Sequence, residues 1–424
     1  MKGLKRIAVV GAGPKAMALA SKASVLRKLG FTVPEIVILE KNEIGSYWKG
    51  GHGFTNGRQP LGTSPEKDIG FPYYSHCWGD EFNKAVNQEM LAFSWQRFLV
   101  EKHSYSDWID RGRPSPEHRK WAGYLAWIYE KVSKEARLIL GEVTSLGLLD
   151  NRWELQTDKE SVVVDGFVVT GPGKLRIQDN IPKDPRVKTL ETFWKDPCVV
   201  DKIPPGSHVA VVGSGETAAS IVLYLGHRRM DLTIDLIVPS AMCYSRGESY
   251  VENHVYTDPF QSNWTTWTRE DRTNFIQRTD RGVFSVSAKQ YLDQWDFAEI
   301  IPGWFRSLKI NSGNQLVLKI EYNGEKERRI YDFVALSLGF DPWSQVLSWL
   351  DAPTLDNLKA NLGVESLTSE WVESSICEDL SIDGLVPKIH LPMMAGIQQG
   401  PGFGNLSCLG RLSDQILQSY VGLD

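Results

Sequence analysis

Two stretches of this 424-residue chain repeat the same order of apolar and polar positions. The apolar run IAVV at residues 7–10 leads straight into a glycine-rich turn and then into a segment with helical character. The run VAVV at residues 209–212 does the same. A short apolar run that ends in Gly-x-Gly predicts a buried strand of a parallel sheet, a tight turn and a helix. The pattern therefore predicts an α/β protein with two Rossmann-like dinucleotide-binding domains.

The first stretch has the features of a phosphate-binding turn. Gly11 allows the tight turn, Gly13 lets the backbone approach a pyrophosphate, and Ala16 keeps helix and strand close. Pro14 stands at the start of the helix, whose N-terminus is the positive end of its dipole. The next apolar run ends in Glu40, where an acid is expected to accept hydrogen bonds from an adenosine ribose. These five residues are predicted to bind a dinucleotide.

The second stretch repeats this arrangement. Gly213, Gly215 and Ala218 occupy the corresponding positions. Glu216 and Thr217 fall in the first turn of the predicted helix. These residues are predicted to bind a second dinucleotide.

The end of the next strand indicates which dinucleotide binds there. The run LTIDLIV at residues 232–238 is followed by Pro239 and Ser240, with no acid at the ribose position. An acid would repel a 2′-phosphate, so its absence favours NADPH over NADH. Arg246 lies shortly after and is predicted to bind the 2′-phosphate; the alternative is a surface charge.

Two dinucleotide sites in one chain usually mean that one cofactor reduces the other, which predicts FAD and NADPH. Residues 165–174 and 332–340 each contain an acid, an apolar run and a glycine, and both are expected to return the chain to the first sheet. The sequence therefore predicts a discontinuous FAD domain over residues 1–178 and 331–424. A NADPH domain over residues 186–330 is inserted between them.

Composition excludes several classes of partner. The net charge of −5 and a pI near 6.0 give no reason to expect nucleic acid or an anionic membrane. No apolar run approaches the length of a membrane span. Five scattered cysteines and a poor export core at the N-terminus predict a cytoplasmic protein.

The chemistry of a flavoprotein with a NADPH domain can be that of a disulfide reductase, a diaphorase or a monooxygenase. The sequence has no C-x-x-C pair, which argues against the reductase. Its eight histidines form no metal-binding pattern, so no metal site is expected. A monooxygenase would then activate oxygen on the flavin itself.

Several motifs carry a resemblance that covers nearly the whole chain. They include GSYWKGG at residues 45–51, LGTSPEKDIGFPY at 61–73, ENHVYTDP at 252–259 and GPGFGNLSCLGRLSD at 400–414. Together with the two glycine fingerprints they resemble the class B flavin monooxygenases. More narrowly, they resemble the amine N-hydroxylases of hydroxamate siderophore biosynthesis, and are most similar to the mycobactin-type L-lysine N-hydroxylases.

The resemblance implies a reaction. NADPH would reduce FAD, the reduced flavin would capture O₂ as a flavin hydroperoxide, and the neutral terminal amine of L-lysine would attack its distal oxygen. A helical segment near residues 250–300 of the NADPH domain would contact the substrate. The expected partners are this small amine and molecular oxygen.

The resemblance also implies roles for individual residues. Lys67 matches a lysine that pairs with the α-carboxylate of the amino acid. Asn253 matches an asparagine that bridges substrate and nicotinamide ribose. Ser413 matches a serine near the reactive end of the substrate, although it could instead cap a helix. These three are the candidate catalytic residues.

Three further positions bear on substrate and flavin. Asp280 stands where ornithine hydroxylases carry an asparagine, and it is expected either to bind the α-ammonium or to pair with a neighbouring arginine. Gly62 stands where those enzymes have a glutamine near the flavin. Trp48 is a candidate flavin neighbour, with core packing as the alternative.

The sequence leaves several alternatives open. An N-hydroxylase of L-ornithine stays possible, since one methylene contributes only about 1–3 kcal/mol of discrimination. An N-hydroxylase of putrescine or cadaverine is a further alternative, in which Lys67 would have no carboxylate to neutralise. A non-catalytic dinucleotide-binding redox sensor is a third reading. Whether the substrate is free or acylated, and whether the protein is a homo-oligomer, also stays open.

Overall fold

The fold was taken from a computed structural model that describes residues 4–177 and 181–422. The domain boundary predicted at residue 178 lies outside the described residues. The strands are β1 (Arg6–Val10), β2 (Glu35–Glu40), β3 (Ala136–Leu140), β4 (Val143–Leu149), β5 (Arg152–Thr157), β6 (Ser161–Val164), β7 (Gly166–Val169), β8 (Lys174–Leu175), β9 (Val187–Thr189), β10 (His208–Val212), β11 (Thr233–Val238), β12 (Tyr244–Ser245), β13 (Val283–Phe284), β14 (Ala298–Pro302), β15 (Trp304–Ile310), β16 (Leu316–Tyr322), β17 (Glu325–Tyr331), β18 (Phe333–Leu336), β19 (Phe340–Asp341) and β20 (Lys388–His390).

The helices connect and cover these strands. They are α1 (Pro14–Lys28), α2 (Asp80–Met90), α3 (Trp95–Glu101), α4 (Tyr105–Asp110), α5 (His118–Val132), α6 (Leu190–Lys195), α7 (Glu216–Arg228), α8 (Tyr250–Thr257), α9 (Arg269–Thr279), α10 (Val286–Leu292), α11 (Pro342–Leu347), α12 (Ala352–Leu362), α13 (Ser369–Ser374), α14 (Gly396–Gln399) and α15 (Leu409–Gln418). Among the described residues, no helix is both long and apolar enough to cross a bilayer.

Two five-stranded parallel sheets form the framework and confirm the predicted α/β class. The first has the order β20-β7-β1-β2-β3 and the second the order β14-β11-β10-β18-β9. In both, the strand before the glycine turn lies in the middle of the sheet. Central strands of a parallel sheet are buried on both faces, which explains why β1 and β10 are uninterrupted apolar runs.

The two sheets are built by the same chain path. Each has a central strand, a helix, a second parallel strand and a third, followed by a three-stranded antiparallel meander: β4-β5-β6 in the first and β15-β16-β17 in the second. The meander then leads into a strand that pairs with the central strand on its other side, β7 in the first sheet and β18 in the second. The sheets are therefore two copies of one supersecondary unit.

The strand β18 corrects one sequence prediction. Residues 332–340 were expected to return to the first sheet, but β18 pairs with β10 in the second. The acid-strand-glycine pattern recurs because each copy uses it: the Asp165 carboxylate accepts the backbone N–H of Arg6 at 2.7 Å, and the Asp332 carboxylate accepts that of His208 at 2.8 Å. The boundary predicted at residue 331 is therefore wrong, because the domain built around the second sheet extends through β18.

The chain passes between the units at two adjacent places. Strands β8 and β19 pair antiparallel, with Leu175 opposite Phe340 and Lys174 opposite Asp341. The outgoing and returning connections therefore lie side by side, as in an inserted domain. We refer below to the unit around the first sheet, with the chain after β19, as the first unit, and to the part between the connections as the second unit.

The segment that carries α8 and α9 reaches from the second unit onto the C-terminal part of the first. The indole of Trp264 donates to the Ile397 carbonyl at 3.1 Å, and Arg272 donates to the same carbonyl at 3.0 Å. A buried ion pair joins Arg411 of α15 to Asp258, just after α8. These contacts fix the segment against the first unit.

A buried ion pair on α1 gives a stability prediction. The Lys22 ammonium contacts the Asp414 carboxylate at 2.6 Å, with side chains 2% and 5% exposed. Lys22→Met leaves a buried carboxylate without its cation and should lower the free energy of unfolding by about 3–5 kcal/mol. Lys28→Met, which removes the exposed Lys28–Glu89 pair from the same helix, should cost less than about 1 kcal/mol. Chemical denaturation followed by tryptophan fluorescence measures both, and equal losses would contradict the prediction.

Candidate active site

The first glycine turn forms an open cradle at the start of α1. Gly11 has φ +99°, and a side chain there would lie 2.6 Å from the Thr170 hydroxyl. Gly13 is the N-cap of α1, and a Cβ on it would meet no protein atom within 4 Å. Pro14 begins the helix and Ala16 is fully buried against the sheet. Free space in front of a helix N-terminus suits a pyrophosphate, so this cradle fits the dinucleotide predicted for it.

Glu40 lies at the end of β2 beside the cradle. One carboxylate oxygen accepts the backbone N–H of Ala12 at 2.9 Å, and the other accepts that of Asn42 at 2.9 Å and the Ser46 hydroxyl at 3.2 Å. The acid therefore fixes the glycine turn to the loop after β2. Its predicted contact with a ribose stays a prediction.

The second cradle repeats the geometry of the first at the start of α7. Gly213 has φ +141°, and a side chain there would collide with the carbonyl oxygen of Ser337, which follows β18. Gly215 is the N-cap of α7, and a Cβ on it would meet no protein atom within 4 Å. Ala218 is fully buried. This cradle too has room for a phosphate at a helix N-terminus.

Glu216 and Thr217 form the first turn of α7, as predicted. The Glu216 carboxylate accepts the backbone N–H of Ser285 at 2.8 Å. Its other oxygen lies 4.0 Å from the point where Gly62, in the first unit, would carry a Cβ. The second cradle therefore faces the loop that carries Gly62 across a narrow cleft between the units.

Two predicted substrate residues meet in this cleft. The Lys67 ammonium, from the first unit, donates to the side-chain carbonyl of Asn253 on α8 at 2.9 Å. The Asn253 amide is itself held by the carbonyls of Glu248 at 3.0 Å and Ser249 at 3.2 Å. Burial lowers the pKa of Lys67, and the nearby charge of Arg246 lowers it further. A partly buried cation at this place suits a carboxylate ligand.

The backbone at Lys67 is held by its neighbour Asp68. The Asp68 carboxylate is fully buried and accepts the N–H of Trp95 at 2.8 Å, the N–H of Gly70 at 3.1 Å and the Tyr73 hydroxyl at 2.7 Å. Burial raises the pKa of Asp68 to about 7, and the three donors oppose that rise. Residues 67–73 are thus a fixed support for the Lys67 ammonium.

Asp280 lies at the C-terminal end of α9 and faces the same cleft. Burial raises the pKa of its carboxyl group, whereas the charges of Arg246 and Arg281 and a hydrogen bond from Asn405 lower it. Asp280 is therefore a partly buried carboxylate among cations from both units, and not one half of a solvated pair on a helix end. Its predicted contact with an α-ammonium group stays a prediction.

Lys15 is a cleft residue that the sequence interpretation missed. Its ammonium donates to the Gly404 carbonyl at 3.2 Å, and the residue is 6% exposed. Burial lowers its pKa to about 8, which the Cys408 thiol and Asp280 oppose. The signal was its position directly after Gly-x-Gly-Pro, where a long cation on the buried side of the helix is unusual.

Ser413 lies in the middle of α15 and is fully buried. Its hydroxyl donates to the Gly410 carbonyl at 2.8 Å. The helix begins at Leu409 with Cys408 as N-cap, so the alternative reading of Ser413 as a helix cap is wrong. Its predicted place near the reactive end of the substrate stays a prediction.

Trp48 ends a short 3-10 turn after β2. Its ring meets the His118 imidazole edge-on, with centroids 4.9 Å apart, and also contacts the Tyr47 ring. These contacts are those of packing between the loop and α5. A contact between Trp48 and the flavin stays a prediction.

Arg246 follows β12 and reaches across the cleft. Its guanidinium donates to the Gly62 carbonyl at 2.9 Å, and its backbone N–H donates to the Phe284 carbonyl at 2.6 Å. The structure thus places its side chain beside the loop that carries Lys67.

Among residues 4–177 and 181–422, no group of three His, Cys, Asp or Glu side chains could hold a metal ion.

Comparison of the sequence with known proteins identifies the family of this chain. A family model described as L-lysine 6-monooxygenase/L-ornithine 5-monooxygenase matches residues 89–295. The L-lysine N6-monooxygenase MbtG of Mycobacterium tuberculosis H37Rv is 39% identical over 419 residues, which cover 98% of this chain and 95% of that protein. The MbtG of Mycolicibacterium paratuberculosis is 38% identical over 423 residues, 99% of this chain and 96% of that protein.

Solved structures agree with the same assignment. The lysine monooxygenase NbtG from Nocardia farcinica superimposes with a TM-score of 0.85 at 39% identity, over 98% of this chain and 100% of that chain. The ornithine N-hydroxylase KtzI from Kutzneria sp. 744 shares the fold, with a TM-score of 0.74 at 17% identity over 99% of both chains. The chain belongs to the L-lysine 6-monooxygenase/L-ornithine 5-monooxygenase family.

Proposed function

We propose that the protein is an FAD- and NADPH-dependent monooxygenase that hydroxylates the terminal amine of L-lysine for hydroxamate siderophore biosynthesis. The observation that carries the proposal is the Lys67–Asn253 hydrogen bond across the cleft, with Asp280 facing the same space. Cationic and anionic side chains placed together suit the α-carboxylate and α-ammonium of an amino acid. The relatives at 38–39% identity are named L-lysine N6-monooxygenases.

Each cofactor has a cradle that fits it. The space at Gly13 and the N-terminus of α1 would hold the FAD pyrophosphate, and the space at Gly215 and the N-terminus of α7 would hold that of NADPH. FAD reduced by NADPH supplies the two-electron activation of O₂. The second cradle faces the Gly62 loop of the first unit, so the nicotinamide would meet the flavin beside that loop.

The protein's own contribution is to hold the substrate in one orientation. Lys67 would bind the α-carboxylate and Asp280 the α-ammonium, which leaves the side-chain amine to extend toward the flavin. That amine must be neutral to act as a nucleophile, although its unperturbed pKa is near 10.4. A cleft that excludes water lowers the pKa of an amine and so favours the neutral form.

The role of Asp280 gives a specific prediction. Asp280→Asn should raise KM for L-lysine about tenfold, because the ion pair with the α-ammonium is replaced by a hydrogen bond to an uncharged amide. KM for 6-aminohexanoate, which lacks the α-ammonium, should change by less than about twofold. Glu270→Gln, which removes an exposed acid from the first turn of the same helix, is the control. Equal effects of Asp280→Asn on both substrates would refute the assignment.

The substrate itself is tested by comparing four amines. NADPH oxidation and hydroxylamine formation should be measured separately with L-lysine, L-ornithine, putrescine and cadaverine. We expect the highest coupled kcat/KM with L-lysine and a loss with both diamines, which offer no carboxylate to Lys67. A diamine as the best coupled substrate would overturn the proposed use of Lys67.

We further propose that the protein acts in the cytoplasm. All five cysteines are free thiols. Unpaired thiols are the normal state of cysteines in a reducing compartment. Fractionation of cells followed by an activity assay would test this location.

A further inference from the structure

Arg246, like Asn253, is a residue of the second unit that forms a hydrogen bond with the loop around Lys67 in the first unit. Its guanidinium bonds to the Gly62 carbonyl at 2.9 Å, and Asn253 of the same unit bonds to Lys67. Gly62 and Lys67 belong to one loop of the first unit, which follows residues 45–51. The Arg246 guanidinium, bonded to this loop at Gly62, and the Lys67 ammonium, which the loop carries, therefore lie on the same side of the cleft.

The guanidinium of Arg246 has unused hydrogen-bonding capacity. Its Nε is buried and has no hydrogen-bond partner, while one terminal nitrogen is bonded to Gly62. A guanidinium offers five N–H donors in a planar fork that matches a carboxylate. A buried donor without a partner costs free energy, which a ligand oxygen would recover.

The charges around Arg246 indicate what kind of ligand would bind it. Arg246 is close enough to lower the pKa of Lys67 by repulsion and to oppose the burial-induced rise in the pKa of Asp280. Arg246 is therefore near both the cation proposed to bind the α-carboxylate and the anion proposed to bind the α-ammonium. Lys67 and Arg246 are neighbouring, partly buried cations, and an anion placed between them would relieve their repulsion.

The position does not suit the 2′-phosphate that the sequence suggested for Arg246. That phosphate is expected at the carboxyl end of β11, at Pro239 and Ser240. The chain bends there, since the Ser240 hydroxyl donates to the Met242 carbonyl at 2.9 Å. It then runs through β12 to Arg246, whose side chain is bonded to the opposite unit.

We propose that Arg246 is a specificity-determining residue that binds the substrate α-carboxylate together with Lys67. The inference rests on the proposed function, because it needs an amino-acid substrate in this cleft. The carboxylate would be held between an ammonium from the first unit and a guanidinium from the second. Binding of an amino acid would thus join the two units, and a diamine would leave both cations unpaired.

The test uses the full-length FAD-loaded enzyme and the variants Arg246→Met and Arg246→Lys. Arg246→Met should raise KM for L-lysine about ten- to a hundredfold, with kcat much less affected. Arg246→Lys, which keeps the charge, should recover part of this loss. Arg306→Met, which removes an exposed arginine from the same unit, should leave KM unchanged.

Two further measurements separate this role from the phosphate role. In anaerobic stopped-flow reduction of the flavin, Arg246→Met should keep the wild-type preference for NADPH over NADH. The Kd of NADP⁺, measured by titration of the oxidised enzyme, should also stay within about twofold of wild type. A collapse of the NADPH preference, or an unchanged KM for L-lysine, would overturn the proposal.

Failure of the proposed function would look different. In that case the wild-type enzyme itself would form no hydroxylated lysine. If the wild type hydroxylates L-lysine and Arg246→Met does so with the same KM, only the role of Arg246 is refuted.

Discussion

Replacing Lys67 with methionine is expected to raise KM for L-lysine about ten- to a hundredfold while flavin reduction by NADPH stays near the wild-type rate. The ammonium lies at the cleft, bonded to Asn253 at 2.9 Å, and its backbone is fixed through the buried Asp68. Loss of a charge-assisted hydrogen bond costs about 1.5–3 kcal/mol, which corresponds to this range of KM. Steady-state kinetics with L-lysine and anaerobic stopped-flow reduction measure the two effects.

Matched variants make the Lys67 result specific. Lys67→Arg keeps the charge and should retain most of the affinity for L-lysine. Lys49→Met removes an exposed lysine that pairs with Glu43 in the same unit and should change nothing. If Lys67→Met leaves KM unaltered, or slows flavin reduction as severely as substrate binding, its assignment to the carboxylate is wrong.

The second large effect is expected from valine at the helix N-caps of the two cradles. A side chain on Gly13 or Gly215 meets no protein atom, so the substitution fills only the space that a pyrophosphate needs. Gly13→Val should abolish FAD binding, and Gly215→Val should retain FAD but lose reduction by NADPH. Absorbance of the bound flavin at purification and stopped-flow reduction distinguish the two defects.

The neighbouring glycines are unsuitable for this test, because Gly11 and Gly213 have positive φ and lie against Thr170 and Ser337. Substitution there would disturb the fold whether or not a ligand binds. Circular dichroism spectra of Gly13→Val and Gly215→Val should therefore match the wild type. Loss of FAD from Gly215→Val, with FAD retained by Gly13→Val, would mean that the cofactors are assigned to the wrong cradles.

Local features of the sequence were sufficient to predict the two glycine turns and the α/β class. An apolar strand, a glycine turn and a helix are formed by residues close in the chain, so both cradles could be predicted from spacing alone. Arrangement within a short segment needs no knowledge of the rest of the molecule.

The prediction that β18 joins the first sheet was wrong because the local sequence pattern does not distinguish the two sheets. An acid, an apolar strand and a glycine occur once in each copy of the unit, with Asp165 and Asp332 making equivalent hydrogen bonds. Nothing inside residues 332–340 says which central strand it will join. The preceding meander β15-β16-β17, a separate three-stranded sheet of the second unit, was the available signal.

The active site was only partly predictable because its residues come together from distant parts of the chain. Lys67 and Asn253 were found through resemblance, and the structure places them in contact although they are 186 positions apart in the chain. The buried Lys15 and the bond from Arg246 to Gly62 depend on how the two units face each other. No periodicity within a single element carries that information.

One measurement tests the central claim most directly: the amount of N6-hydroxylysine formed per NADPH oxidised by the FAD-loaded enzyme at saturating L-lysine in air. We expect the ratio to approach one, with little hydrogen peroxide, because Lys67 and Asp280 are proposed to hold the substrate with its amine toward the flavin, and a fixed orientation away from water favours oxygen transfer over release of hydrogen peroxide. NADPH oxidation that yields hydrogen peroxide alone, at a rate and yield indifferent to L-lysine, would contradict the account.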